Sequence, residues 1–341
     1  MSLTSVRLYA HSLPHLRLFR HDPPRRRIGF SRVMCMKKRW RAAACLILCA
    51  ALAVCLAEAG AVRDAAAEAL SLCARSVVPA TFPFLVVSAW LVKLGFGELT
   101  VPWLAGLMEP LFRVPGAGSS ALLLGMTAGY PIGAASAAEL YREGSLSQSE
   151  AERLLTFCNT GNPVFFISVL GSGVFGSVQA GLYLWLIHLL SALLTGLFLR
   201  GSGKTAGRQR PPAAAPIRAV SLAGSFVAAV RSALTTQVNV CACVTFFYVL
   251  ARPLAAVGGR IGAALVGLTE LYSLVPLLTA DGFGFVLVSV MAAWGGVSVL
   301  CQTAAVLEES GLPLTPCLRG KLVQSLLSGL LAAALWSRAL A

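Results

Sequence analysis

The chain has 341 residues, 57% of them apolar and 12% charged, with a net charge of +14 and a mean hydropathy of +0.76. Sparse charges between long apolar runs exclude an ordinary soluble domain and predict an all-α, polytopic transmembrane helical bundle. Eleven of the 28 Lys and Arg stand in the first 41 residues, so the basic excess orients the chain in a membrane and is not a nucleic-acid surface.

Residues 1–41 mix Arg, His and Pro with no hydrophobic period and read as a disordered tail. Within it, Met36 sits where a natural start would, before a compact basic stretch and an apolar run. The positive-inside rule puts this end in the cytoplasm. Apolar runs, most of them near the roughly 20 residues that cross a bilayer core, predict spans at 42–57, 77–94, 119–140, 154–170, 178–199, 220–251, 261–280, 283–307 and 321–340. The segment 101–112 is apolar, short and bracketed by prolines, and is expected to re-enter or to lie on the surface. Arg200, Lys204, Arg208, Arg210 and Arg218 occupy the linker 200–218 with no acid among them. This second cytoplasmic signal separates a first transmembrane half, 42–199, from a second, 219–341. Two cytoplasmic ends need an even number of crossings between them, so 101–112 and 154–170 must both span or both re-enter.

The two halves carry similar words. Arg75-Ser76 opens one apolar run and Arg231-Ser232 another; "LLGMT" at 123–127 answers "LVGLT" at 265–269; "LLSALLTGLF" at 189–198 answers "LVQSLLSGLL" at 322–331. Related halves are common in transporters, which hold their substrate at the junction between repeats.

The first half is interrupted twice. Gly125, Gly129 and Gly133 recur at every fourth position, a stripe small enough for another backbone to approach closely. Pro131 deprives the Thr127 carbonyl of its helical partner, so the break must face protein or water. A packed proline kink and a broken helix bordering a solute cavity both fit. Further on, Asn159, Thr160, Gly161, Asn162 and Pro163 interrupt an apolar segment with two amides and a hydroxyl. Unwound polar backbone of this kind offers hydrogen bonds to a substrate at depth; an interfacial turn fits the same residues. Amides present donor and acceptor together, which suits a neutral polyhydroxylated or heterocyclic solute.

In the second half Glu270 stands inside an apolar run, where an unpartnered carboxylate costs at least about 2.5 kcal/mol on insertion scales. It reads as a ligand or proton-coupling group, as the structural partner of a helix-borne Arg such as Arg231, or as an interfacial residue if the span is misassigned. Ser298 and Gln302 lie one turn apart on one helix face. The candidate substrate-binding residues are therefore Tyr130, Asn159, Thr160, Asn162, Glu270, Ser298 and Gln302; the candidate helix-break and packing residues are Gly125, Gly129, Pro131, Gly133 and Pro163. No metal spacing and no acid, base and nucleophile set stands out, so no catalytic residue, metal or cofactor is expected and the chain reads as a non-enzyme. "GSGKT" at 201–205 lacks the first glycine of a P-loop, because Phe198 stands there. The ten cysteines form no C-x-x-C pair and read as small buried hydrophobes.

The run "GYPIGAASAAELYREGSLSQSEAERLLTFCN" followed by "NPVFF", with "GLTEL" and "WGGVSVLCQ" later, resembles the bacterial sporulation integral membrane proteins that carry a nucleoside-recognition Gate domain, over residues 65–338. That resemblance implies a multi-pass protein of the cell membrane of endospore formers, needed for spore cortex formation. It further implies a transporter or channel for a small polar solute, nucleoside-like in chemistry. The alternative is a non-transporting scaffold for other sporulation membrane proteins. The bilayer, the solute and such proteins are the expected partners.

Overall fold

The computed structural model describes residues 42–340 apart from 44, 47, 96–103, 105 and 202–220. The basic tail, most of the linker and the cytoplasmic placement expected for both lie outside the described residues. The apolar helix Leu48–Ala57 falls in a first unit that ends at Ala59. The second unit is Gly60–Ala341.

The described residues form helices and their connections, with no strand, and five helices are long and apolar enough to cross a membrane. The protein is an all-α polytopic bundle. An Ala-rich helix, α1 (Ala59–Leu72), runs through a π-helical turn (Cys73–Val77) into α2 (Val78–Lys93). Three short helices come next, α3 (Gly118–Ala128), α4 (Ile132–Arg142) and α5 (Gln148–Leu155), then a π-helical stretch (Phe165–Ser172) and α6 (Val178–Leu199). Beyond the linker come α7 (Leu222–Ala255), α8 (Gly259–Thr269), α9 (Leu271–Leu274), α10 (Gly282–Trp294), α11 (Gly296–Glu308) and α12 (Thr315–Ala339).

Long helices here are polar inside and apolar outside. On α12, Lys321, Gln324 and Ser328 are buried while Leu322, Leu326 and Leu330 are exposed; on α6, His188, Ser191 and Thr195 are buried while Leu182, Leu186 and Leu190 are exposed. In water that arrangement would be inverted. In lipid it is stable, because hydrocarbon solvates leucine and the bundle interior satisfies the polar groups.

Two predicted spans do not cross as single helices. The run 119–140 folds back at Gly129 into a hairpin of α3 and α4. A Cβ on Gly125 would meet the Gly133 backbone at 3.2 Å, whereas residues eight apart on one helix are about 12 Å apart. The glycines therefore do not stripe one straight helix; they let two arms close around the carbonyl of Cys158, which a Cβ on either would strike. The run 261–280 breaks at Glu270, and residues 277–283 return beside Gly258, Gly259 and Arg260 around one surface pocket. Arms of 11 residues measure about 16 Å, roughly half a bilayer core. Both runs fold as hairpins with arms too short to cross a bilayer core.

The run 154–170, by contrast, does not fold back on itself. Phe157 stacks on Phe112 near Gly196, Gly161 meets His188, and Gly171 packs on Gly181, so the chain descends antiparallel to the full length of α6. The described part of 101–112 forms a short helix over residues 106–112, with Met108 and Phe112 buried against Leu154 and Phe157. Of the repeated words, Arg75-Ser76 lies in the π-helical turn and Arg231-Ser232 inside α7. "LLGMT" and "LVGLT" each end the first arm of a hairpin, and the two Leu-rich words lie in α6 and α12.

Candidate functional site

Between α5 and the π-helical stretch the backbone unwinds over 156–162. Its polar groups would be stranded in lipid, and side chains from other elements meet them. The Gly161 N–H donates to His188 Nε2 at 2.9 Å, and the Asn159 carbonyl accepts from Lys321 Nζ at 2.7 Å. The Asn159 amide donates to Thr303 Oγ1 at 2.9 Å, and the Thr160 hydroxyl donates to the Gly125 carbonyl at 2.8 Å. Asn162 then restarts the helix, its Oδ1 accepting the Phe165 N–H at 2.8 Å as an N-cap does. Pro163 takes the first helical position, where no N–H is needed.

Both hairpin tips reach this region. At the first, Gly129 adopts φ +86° and packs on Asn162, the Tyr130-Pro131 bond is cis, and the Tyr130 hydroxyl donates to the Ala292 carbonyl at 2.8 Å. At the second, Glu270 caps α9. One carboxylate oxygen accepts the Ser273 N–H at 2.5 Å and the Ser273 hydroxyl at 2.7 Å; the other accepts the Tyr272 N–H at 3.0 Å. The second tip rests on a further interruption, Gly295 and Gly296, both at positive φ, where a Cβ on Gly296 would meet the Thr269 carbonyl at 2.9 Å.

A buried cavity of about 50 Å³ opens among these elements, with Thr81, Tyr130, Asn162, Glu270, Tyr272 and Gln302 supplying its polar lining. Two amide groups there, Asn162 Nδ2 and Gln302 Oε1, have no partner among the described residues, and Glu270 keeps lone pairs to spare. Its volume would admit a few waters. Sites for drug-sized ligands are about 300 Å³ or more, so this cavity is too small for one. A larger hollow of about 730 Å³ lies between α1, α2 and α7, lined by Leu70, Phe82, Leu234 and Phe246. It is apolar and open, as a lipid-facing groove is.

Of the seven residues singled out as substrate-binding, Tyr130, Asn162, Glu270 and Gln302 converge on the cavity. Asn159 and Thr160 are instead engaged by the protein's own groups, and Ser298 is buried behind Gln302, accepting from its amide at 3.3 Å. Arg231 does not pair with Glu270: none of the ion pairs among the described residues includes that carboxylate. Lys321, His188, Gln324 and Thr81 were not foreseen in the site. Lys321 opens the predicted span 321–340 and has the look of a lysine reaching for the interface; its i, i+3 relation to Gln324 is the signal that could have turned it inward.

No family model and no solved structure matches the chain. Over 141 residues it is 36% identical to the sporulation integral membrane protein YlbJ of Bacillus subtilis (strain 168), a stretch covering 41% of this chain and 35% of that protein. The chain thus spans well under two thirds of the length of the curated relative it matches.

Proposed function

We propose that this multi-pass membrane protein serves sporulation by carrying a small polar solute across the bilayer between its two hairpin tips. One observation carries the proposal: Tyr130, Asn162, Glu270 and Gln302, from both tips, the unwound segment and α11, line a single buried cavity. Apolar side chains would fill that space at lower cost than a carboxylate without an ion-pair partner and two half-satisfied amides. An amide donor, an amide acceptor and a carboxylate suit a hydroxyl-rich or heterocyclic neutral solute, nucleoside-like in its chemistry. Entry requires the tips to part. Arms that reach only half way across can move without dismantling a full span, which fits alternating access around a fixed site.

The sporulation setting is suggested by the similarity to the Bacillus subtilis sporulation protein and by the Gate-like words. In it the solute would pass between mother cell and forespore and support cortex formation. No chemical step is assigned. Glu270 is the one carboxylate lining the cavity, and acid-base work of the glycosidase kind takes two.

Purified protein in proteoliposomes, offered labelled nucleosides, sugars and cell-wall precursors, should accumulate at least one of them, and Glu270→Gln should abolish the uptake. Silence across the panel would sink transport. If Glu270→Gln also leaves sporulation intact while changes within 138–153 abolish it, the protein is a docking scaffold.

A further inference from the structure

Lys321 is 2% exposed on α12, one turn from Gln324, which donates to the His188 carbonyl halfway along α6. A snorkelling lysine would send its ammonium to the headgroups; this one points into the bundle. None of the ion pairs among the described residues includes it. Its Nζ donates to the Asn159 carbonyl at 2.7 Å and stands 4.5 Å from the centroid of the Tyr130 ring. The first partner is a carbonyl freed by the unwinding of 156–162. The second is the aromatic face of the first hairpin tip, whose quadrupole attracts cations. A third acceptor belongs to the same segment: Asn159 Oδ1 is buried with no hydrogen-bond partner.

A freed carbonyl, an amide oxygen and an aromatic face, with no acid among them, form the kind of electron-rich pocket that unwound membrane helices offer to a monovalent cation. We propose that the junction between the first hairpin tip and the unwound segment is a monovalent-cation site whose occupant is the chain's own Lys321 ammonium. The tethered charge holds Tyr130 against segment 156–162, and alkali ions from solution are not needed there. A free ion could leave with each opening of the site. A side chain cannot, so the junction stays filled at any salt composition. Lys321 is thus a positioning residue, and the inference stands whether or not the neighbouring cavity carries a solute.

The test is thermal unfolding of the detergent-purified full chain at equal ionic strength in NaCl, KCl or choline chloride, with and without n-propylammonium. The wild-type Tm should be the same in all three salts and unmoved by the amine. Lys321→Ala empties the space of stem and ammonium. Its Tm should rise by about 3 °C or more on adding n-propylammonium, which restores an N–H donor to Asn159. Lys321→Met keeps the volume without the charge and should show no such gain. A wild-type Tm raised specifically by Na⁺ or K⁺ overturns the proposal, and so does a folded Lys321→Ala indifferent to the amine. Where Lys321→Ala does not fold, the wild-type salt comparison decides alone: cation specificity overturns the proposal and indifference upholds it.

Discussion

The hydroxyl of Tyr130 donates to the carbonyl of Ala292, 162 residues further along the chain, at 2.8 Å. It ties the tip of the first hairpin to α10, whose ladder stops at Trp294 because Gly295 and Gly296 take positive φ. In an unbroken helix the Ala292 carbonyl would accept the N–H of residue 296, which the break displaces. One half of the molecule therefore closes a helix end in the other.

Tyr130→Phe removes that donor and keeps the ring beneath Lys321. An unsatisfied buried carbonyl costs about 1–3 kcal/mol, so denaturant unfolding should show a loss of that size with the slope unchanged. Unaltered stability would mean that another donor takes over.

The hairpin makes a sharper demand on its glycines. Gly125→Ala and Gly133→Ala would each drive a methyl into the Cys158 carbonyl, and backbone cannot swing aside as a side chain can. Either substitution should cost about 3 kcal/mol or more, or prevent folding, as overpacking at its most severe does. Gly60→Ala is the matched control. It lies in α1 with nothing within 4 Å of the added methyl, and should be neutral or stabilising by up to about 1 kcal/mol. Equal Tm values for all three variants would contradict the close approach.

The breaks at Pro131 and Asn159–Pro163 were legible in the sequence because lipid punishes a lost ladder bond; Glu270 stood out as a lone charge in an apolar run, but the break it makes in 261–280 did not. Fold-back was not legible. A Gly-Tyr-Pro step kinks a spanning helix or turns a hairpin, and only the Cys158 carbonyl wedged between Gly125 and Gly133 decides. The same limit hid the helix break at Gly295-Gly296, which reads as ordinary small-residue packing until its φ values are known. Lys321 and His188 were overlooked for a different reason. Their partners are backbone groups of Asn159 and Gly161, and backbone groups carry no letter that marks them as partners.

Outside the membrane-spanning segments, the N-cap of α10 should give a pH signature. The Gly284 N–H and the Thr279 hydroxyl bond the Asp281 carboxylate and hold its pKa below the ordinary aspartate value. A depressed native pKa means that the cap is fully effective above the unfolded value of about 3.9 and is lost as pH falls through the native one. Asp281→Asn keeps an N-cap acceptor without the titration. Its Tm should fall less steeply than that of the wild type as the pH is taken below 4; parallel curves would remove Asp281 from the acid response.

Glu270 offers the strongest separation of structure from transport, because it does two things at once. It caps α9 through Tyr272 and Ser273, and its carboxylate lines the cavity. Glu270→Gln leaves one acceptor oxygen for three donors and should cost about 1 kcal/mol in stability together with at least tenfold in uptake. Glu270→Asp separates the roles, since aspartate is a better cap than glutamate but ends one methylene short. It should unfold at the wild-type temperature and still lose most uptake, because the lost reach is felt only by a solute in the cavity. If Glu270→Asp transports as the wild type does while Glu270→Gln does not fold, the carboxylate is a cap and nothing more, and the solute must be held by Asn162 and Gln302 alone.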